Sequence, residues 1–219
     1  MSGEAMDASR RALLAAAAAA FACQRRTATA AGETGAAFAE SMIAGSRRLF
    51  PNPLLMTHDG RAVRLYDEFV RGRFVLLNFA YTRCEGKCPR GLSTLLAMRK
   101  LLAPRLGREP DLVTLTLDPE HDTPDALARY VASRGRPRGW TFATGAPADL
   151  EAARRFLGFT DPDPVVDADR SQHGSLVAMG DDLHGRWQVA STQAGAEPLA
   201  LLALRTAGIA PGASRSLGR

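Results

Sequence analysis

The chain has 219 residues, of which 46% are apolar and 23% are charged, and its formal net charge is +5. This composition predicts one globular domain with a buried core plus a short N-terminal extension, and no segment has the roughly 18 to 20 apolar residues that a transmembrane helix needs. Because the first thirty residues carry +2 of the charge, the +3 left for the remainder gives little indication of a nucleic-acid partner, and none is expected.

The N-terminus predicts an export signal. Two arginines followed by an alanine-rich apolar stretch fill residues 10–22, which is the layout of a twin-arginine secretory signal. Residues 1–22 are therefore interpreted as the signal and residues 23–48 as a linker, which places the protein in the periplasm. Lipidation of Cys23 stays open, and membrane attachment with it, because the residues before it make a poor lipobox. An alanine-rich disordered tail is the alternative.

The domain is expected to span residues 49–208, followed by a flexible tail at 209–219. Apolar runs on either side of Asp59-Gly60 predict a β-hairpin at residues 54–63. The apolar run at residues 74–80 predicts a central strand that is buried on both faces.

The remaining elements alternate between helix and strand before a last hairpin. They are a helix at 90–106, a strand at 112–117, a helix beginning at Pro124 with Thr123 as N-cap, a strand at 140–144, a helix at 147–157, hairpin strands at 175–179 and 186–190, and a helix at 198–207. This order predicts a thioredoxin-like α/β fold, with a central mixed sheet flanked by helices and an N-terminal β-hairpin extension.

Two cysteines, Cys84 and Cys88, lie four residues apart between the strand at 74–80 and the helix that follows. If Cys88 lies in the first helical turn, this spacing brings both sulfur atoms to one face, where they can form a disulfide or hold one metal ion. The helix N-terminus is expected to lower the thiol pKa values. A purely structural pair of cysteines is the alternative.

A third ligand would turn the thiols into a metal site, and His173 is the candidate because the strand expected at Leu176 can begin facing the cysteine loop. Two thiolates and one imidazole suit Cu(I), and an added ligand suits Cu(II) or zinc. A solvated loop histidine is the alternative, and it is the interpretation given to His58, His121 and His184. An exported thiol pair also needs a thiol reductant as partner, because it would otherwise oxidise.

Four motifs follow one another along the chain: Tyr81-Thr-Arg-Cys-Glu-Gly-Lys-Cys-Pro89, Leu117-Asp-Pro-Glu-His-Asp-Thr-Pro124 with Tyr130, Trp140 to Gly145, and His173 with Ser175. Together they resemble the Sco/SenC family of copper-binding, thioredoxin-like proteins that help to build the copper centre of cytochrome c oxidase. The resemblance implies that Cys84, Cys88 and His173 are copper ligands. Residues 118–124 are interpreted as a scaffold near them, because they end a strand and cap a helix.

This chain departs from the family pattern in two places. Glu85 stands where a proline is usual, and Gly174 separates His173 from the serine that normally follows it directly. A carboxylate beside the thiols would oppose thiolate formation and could add a hard ligand for Cu(II).

The function expected first is a periplasmic chaperone that binds one copper ion, Cu(I) or Cu(II), and delivers it to the copper-bearing subunit of cytochrome c oxidase or to another copper protein. The alternative is a thiol–disulfide oxidoreductase, with Cys84 as the attacking thiolate, Cys88 as the resolving thiol and a Cys84–Cys88 disulfide as the oxidised state. A peroxidase ranks lower, because Tyr81 stands where a peroxidatic motif has threonine.

Overall fold

The computed structural model describes residues 49–84, 87–169 and 175–210. The predicted export signal and linker lie outside these residues, as do the tail from residue 211 onwards, Glu85 and His173. Within the described ranges, none of the helices combines the length and the apolar character that crossing a bilayer requires.

Strands and helices alternate through most of the domain. The strands are β1 Leu54–Thr57, β2 Ala62–Arg64, β3 Phe74–Ala80, β4 Asp111–Thr116, β5 Trp140–Gly145, β6 Leu176–Asp181 and β7 Arg186–Ser191. The helices that follow β3 are α1 Lys87–Leu106, α2 Pro124–Ser133, α3 Pro147–Phe156, α4 Pro164–Ala168 and α5 Ala196–Thr206. A π-helical turn, Tyr66–Val70, joins β2 to β3, and a short 3-10 turn, Thr192–Ala194, follows β7.

The seven strands form one mixed sheet in the order β2-β1-β5-β4-β3-β6-β7. The central strands β3, β4 and β5 are parallel, whereas β6 runs antiparallel to β3 and β1 runs antiparallel to β5. The predicted N-terminal hairpin is present as β1 and β2, with Leu55 opposite Val63. Because β6 is antiparallel to β3, it begins at the edge of the sheet where β3 and β4 end.

Hydrophobic side chains fill the space on both faces of the sheet. One cluster includes residues of α1, α2 and α5, and the other includes residues of α3 and the π-helical turn. All seven residues of β3 are buried, as predicted for a strand covered on both faces. Ile209, at the start of the predicted tail, is also buried, with 4% of its surface exposed.

Among the described helical elements of five or more residues, two were not predicted. The π-helical turn and α4 span five residues each, too few for a helical hydrophobic period to be visible in the sequence. α4 begins where the side chain of Asp163 accepts a hydrogen bond from the amide of Val165, with Pro164 as its first residue. α1 begins at Lys87 rather than near Arg90, which places Cys88 inside its first turn.

Candidate metal centre

Cys84 and Cys88 face each other where β3 gives way to α1. The amide of Cys84 donates to the carbonyl of Tyr81 at 3.3 Å and closes a tight turn after the strand, while Cys88 lies in the first turn of α1. The two thiols are in hydrogen-bond contact, and both are free. Cys84 is 6% exposed and Cys88 is fully buried. The structure therefore brings the two sulfur atoms together, and a disulfide between them stays a prediction.

The protonation of Cys88 differs from the expectation. Burial raises the pKa of the Cys88 thiol to about 12, and its hydrogen bond and charge interaction with Cys84 act in the same direction. The expected lowering by the helix N-terminus is therefore wrong for Cys88, because desolvation of a thiolate outweighs the favourable helix end. Cys88 is a protonated thiol at neutral pH in this structure.

Tyr81 belongs to the same group of side chains, and its role was not inferred from the sequence. Its partly buried ring packs against the core cluster that contains both cysteines. Burial raises the pKa of Tyr81 to about 12, and the charge of Cys84 and a hydrogen bond with it contribute. The phenol therefore stays protonated beside the thiol pair.

The loop between β4 and α2 is tied to the turn that carries Cys84. The carboxylate of Asp122 accepts hydrogen bonds from the amide of Thr82, at 3.2 Å, and from the hydroxyls of Thr82 and Thr116. Asp122 is fully buried, and the next residue, Thr123, caps α2 as predicted by accepting from the amide of Ala126. The segment assigned to scaffolding thus contacts the cysteine turn directly.

A second connection runs from Arg83 to Asp118 and His121. The guanidinium of Arg83 lies 2.6 Å from the Asp118 carboxylate and 2.9 Å from Nδ1 of His121, which is itself 3.0 Å from Asp118. Burial would raise the pKa of Asp118, but hydrogen bonds from His121 and Arg83 outweigh it and lower the pKa. Asp118, Glu120 and His121 have potential ligand atoms within 4.8 Å of one another. The Arg83 guanidinium already forms an ion pair with the Asp118 carboxylate in this group.

The predicted ligand His173 lies outside the described residues, so its distance to the cysteines stays untested. The chain is described again from Ser175, which is held at the start of β6 because its carbonyl accepts hydrogen bonds from the amide and hydroxyl of Thr192, at 2.6 and 3.1 Å. β6 starts at the edge of the sheet where β3 ends. The chain therefore enters β6 on the same edge as Cys84.

The three other histidines make side-chain contacts, and two of them, His121 and His184, are also exposed to solvent, as the solvated interpretation expects. Nδ1 of His58 accepts from the amide of Phe142 at 3.2 Å, and Nδ1 of His184 lies 2.7 Å from Asp181. His121 contacts Asp118, as described above. Of the three, only His121 lies close to the cysteine turn.

The chain is similar to known proteins in both sequence and structure. A family model described as SCO1/SenC matches residues 49–199. The mitochondrial SCO2 homolog of Bos taurus is 42% identical over 78 residues, which cover 35% of this chain and 29% of the bovine protein. The match thus spans less than a third of that relative's length.

Two solved structures share the architecture. Yeast Sco1 with copper bound superposes with a TM-score of 0.58 at 15% identity, over 74% of this chain and 93% of the yeast chain. Arabidopsis thaliana ScoI with copper bound gives a TM-score of 0.57 at 19% identity, over 72% of this chain and 96% of the plant chain. These similarities show the fold and confirm the predicted thioredoxin-like α/β architecture.

Proposed function

Because the SCO1/SenC family model matches more than half of the chain, the chain belongs to that family, and we propose on this premise that it is a copper chaperone. It binds one copper ion through Cys84, Cys88 and His173. It delivers the ion to the copper-bearing subunit of cytochrome c oxidase or to another copper protein.

The single observation that carries this proposal is the contact between the two buried thiols at the junction of β3 and α1. Paired sulfur donors on one face of a helix start suit a soft ion such as Cu(I). The copper-bound structures of yeast Sco1 and Arabidopsis ScoI support copper as that ion. The entry of the chain into β6 at the same edge supports His173 as the third donor.

Copper transfer requires the ligands to exchange one at a time. A site of two sulfur atoms and one nitrogen leaves coordination positions open, so a donor from the receiving protein can attack before a ligand departs. Cys84 keeps a small exposed surface whereas Cys88 has none, so the incoming donor reaches the ion from the Cys84 side. Loading the site releases the Cys88 proton, because a thiolate and not a thiol is the ligand.

Export to the periplasm completes the proposal. The signal at residues 1–22 carries the chain out of the cytoplasm, and residues 23–48 link it to the domain. In an oxidising compartment the free pair would close to a Cys84–Cys88 disulfide, so a thiol reductant is part of the cycle. Lipid on Cys23 would hold the protein at the membrane surface.

The decisive experiment is copper titration of the full chain with its cysteines reduced, for the parent, His173→Ala and His184→Ala. We expect one equivalent of copper in the parent, with thiolate charge-transfer absorption and an electron paramagnetic resonance signal for Cu(II). His173→Ala should weaken the affinity by at least about tenfold, the size of the losses seen when even a residue behind a ligand is removed.

His184→Ala is the matched control, because His184 pairs with Asp181 at the far end of β6. It should bind copper as the parent does. If His173→Ala also matches the parent in affinity and spectrum, the assignment of the nitrogen ligand is wrong.

A thiol–disulfide oxidoreductase is the second candidate, favoured by the unequal exposure of the two cysteines. The Cys84 thiolate would attack one sulfur of a substrate disulfide and release the other as a thiolate, leaving a mixed disulfide. Cys88, held in contact, would then give up its proton and attack the Cys84 sulfur, forming the Cys84–Cys88 disulfide, while the departing substrate sulfur takes up a proton and leaves as a thiol. Cys88→Ser should therefore trap the mixed disulfide with a model substrate and Cys84→Ser should not. Weak copper binding together with rapid thiol–disulfide exchange would favour the oxidoreductase over the copper chaperone.

A further inference from the structure

Asp122 is a buried carboxylate whose hydrogen bonds come from hydroxyl and amide groups. Its residue is fully buried, and its oxygens accept from Thr82 and Thr116. A buried carboxylate is costly unless hydrogen bonds compensate for the lost water. The hydrogen bonds to Asp122 supply this compensation, and they also hold the groups that donate them in place.

The bonds hold the turn that ends in Cys84. Thr82 lies two residues before Cys84 and is attached to Asp122 through both its amide and its hydroxyl. Attachment at two points fixes the position and the rotation of the backbone at Thr82. The amide of Cys84 returns to the carbonyl of Tyr81, so the turn is pinned at its centre by Asp122 and closed at its ends by this backbone bond.

The other partner of Asp122 provides a rigid anchor. Thr116 is the last residue of β4, a central strand, and is fully buried. Its hydroxyl donates to Asp122 and accepts from the amide of Asp118 at 2.9 Å. The amide of Asp122 also donates to the carbonyl of Asp118, at 2.9 Å. The carboxylate is therefore fixed to the sheet and transmits that rigidity to the cysteine turn.

We infer that Asp122 is a positioning residue for the metal centre, which aims the Cys84 sulfur at Cys88 by fixing the turn through Thr82. This inference rests on the proposed copper function. A ligand that is already aimed loses less conformational freedom on metal binding, so loss of Asp122 should weaken copper binding and distort the copper–thiolate geometry.

The test uses three variants of the full chain. Asp122→Asn keeps the shape and removes the charge, and Thr82→Val removes one hydroxyl while keeping the amide. Asp182→Asn is the matched control, because Asp182 is also a buried carboxylate that accepts from an amide, that of Gly72 at 2.7 Å, and from the hydroxyl of Tyr66. Asp182 follows β6, at the opposite end of the sheet from the cysteines.

Copper affinity by chelator competition, the thiolate charge-transfer band and the Cu(II) paramagnetic resonance spectrum are measured beside the urea unfolding midpoint. Asp122→Asn and Thr82→Val should shift the band and weaken the affinity about tenfold. Asp182→Asn should lower the unfolding midpoint and leave both copper readouts unchanged. If the first two variants lose stability with parental affinity and spectrum, Asp122 is structural only and the inference is overturned.

A readout without copper separates failure of this inference from failure of the proposed function. The rate at which iodoacetamide alkylates Cys84 should rise at least about tenfold in Asp122→Asn and Thr82→Val, because the slightly exposed thiol is released from its turn, and should stay parental in Asp182→Asn. A parent that binds no copper, together with this pattern of rates, refutes the chaperone proposal and retains the positioning role. Equal rates in all four proteins refute the positioning role. If Asp122→Asn does not fold, Thr82→Val alone carries the comparison.

Discussion

Replacing Arg154 with methionine should be among the most destabilising changes of a charged residue in this domain. Arg154 is 5% exposed, and its guanidinium joins α3 to α4 by two hydrogen bonds of 2.8 Å to the Asp167 carboxylate. It also binds the Glu151 carboxylate, at 2.7 and 2.9 Å, and the carbonyl of Phe159. Methionine fills a similar volume but leaves these acceptors without the cation.

The expected loss follows from the burial of the group. Removing one partner of a buried ion pair costs about 3 to 5 kcal/mol, since the other charge is left uncompensated. The Glu151 side chain is 42% exposed and the Asp167 side chain is 16% exposed, so water compensates in part and the lower end of that range applies. For a domain of this size, a loss of about 3 kcal/mol lowers the melting temperature by roughly 6 to 12 °C.

Thermal unfolding followed by circular dichroism measures this shift, and Arg155→Met is the control. Arg155 neighbours Arg154 and pairs with the same Glu151, at 2.6 Å, but its side chain is 67% exposed, so its loss should cost less than about 1 kcal/mol. Adding Asp167→Asn to Arg154→Met should recover part of the loss, because it also removes the carboxylate that Arg154 neutralised. Equal shifts for the two arginine variants would refute the argument from burial.

Three further changes test other parts of the fold. The Glu151 pKa is lowered chiefly by its hydrogen bond from Arg154, so the stability that this bond adds is lost as the pH falls through the lowered pKa. The difference in urea unfolding free energy between the parent and Arg154→Met should therefore narrow below pH 4.5, the ordinary Glu value. A free-energy difference that widens below pH 4.5 would contradict this pH dependence. Thr123→Ala should cost about 1 kcal/mol in the same assay, because α2 loses its cap, and Thr123→Ser should recover most of it; no loss for alanine would show that the cap is unimportant. Gly180→Ala should cost about 1 to 3 kcal/mol and shift the Trp187 fluorescence, because a Cβ there would meet the indole ring opposite it, and unchanged fluorescence and stability would contradict that packing.

The sequence predicted the elements whose patterns are local. The apolar run of β3, the hairpin of β1 and β2 and the cap at Thr123 each depend on residues close together in the chain. α4 could not be predicted in the same way, because none of its residues is buried and no hydrophobic period marks it. Its attachment to α3 comes from the pair Arg154 and Asp167, thirteen residues apart, which no local pattern reveals.

In the candidate site, too, only features that depend on residues close together in the sequence could be predicted. The four-residue spacing correctly indicated that the Cys84 and Cys88 thiols meet. The raised pKa of Cys88 was missed, because it depends on how deeply the fold buries the thiol. The contact from Asp122 to Thr82 spans forty residues, so it appears only once β3 and β4 are placed side by side. His173 as a ligand stays a prediction.

The central position of β3 has a consequence for how long cargo would stay bound. β3 is hydrogen-bonded on both sides, by β4 and β6, and amides in such a strand exchange with solvent only through the rare openings of the whole domain. Cys84 follows this strand after a short turn, and Cys88 is buried beside it, so fraying at the surface of the protein does not separate the two sulfur atoms. An ion held by both thiolates would therefore leave by ligand exchange with a receiving protein, through the open coordination positions, and not by fraying of the protein surface. Retention would be set by kinetics as much as by affinity.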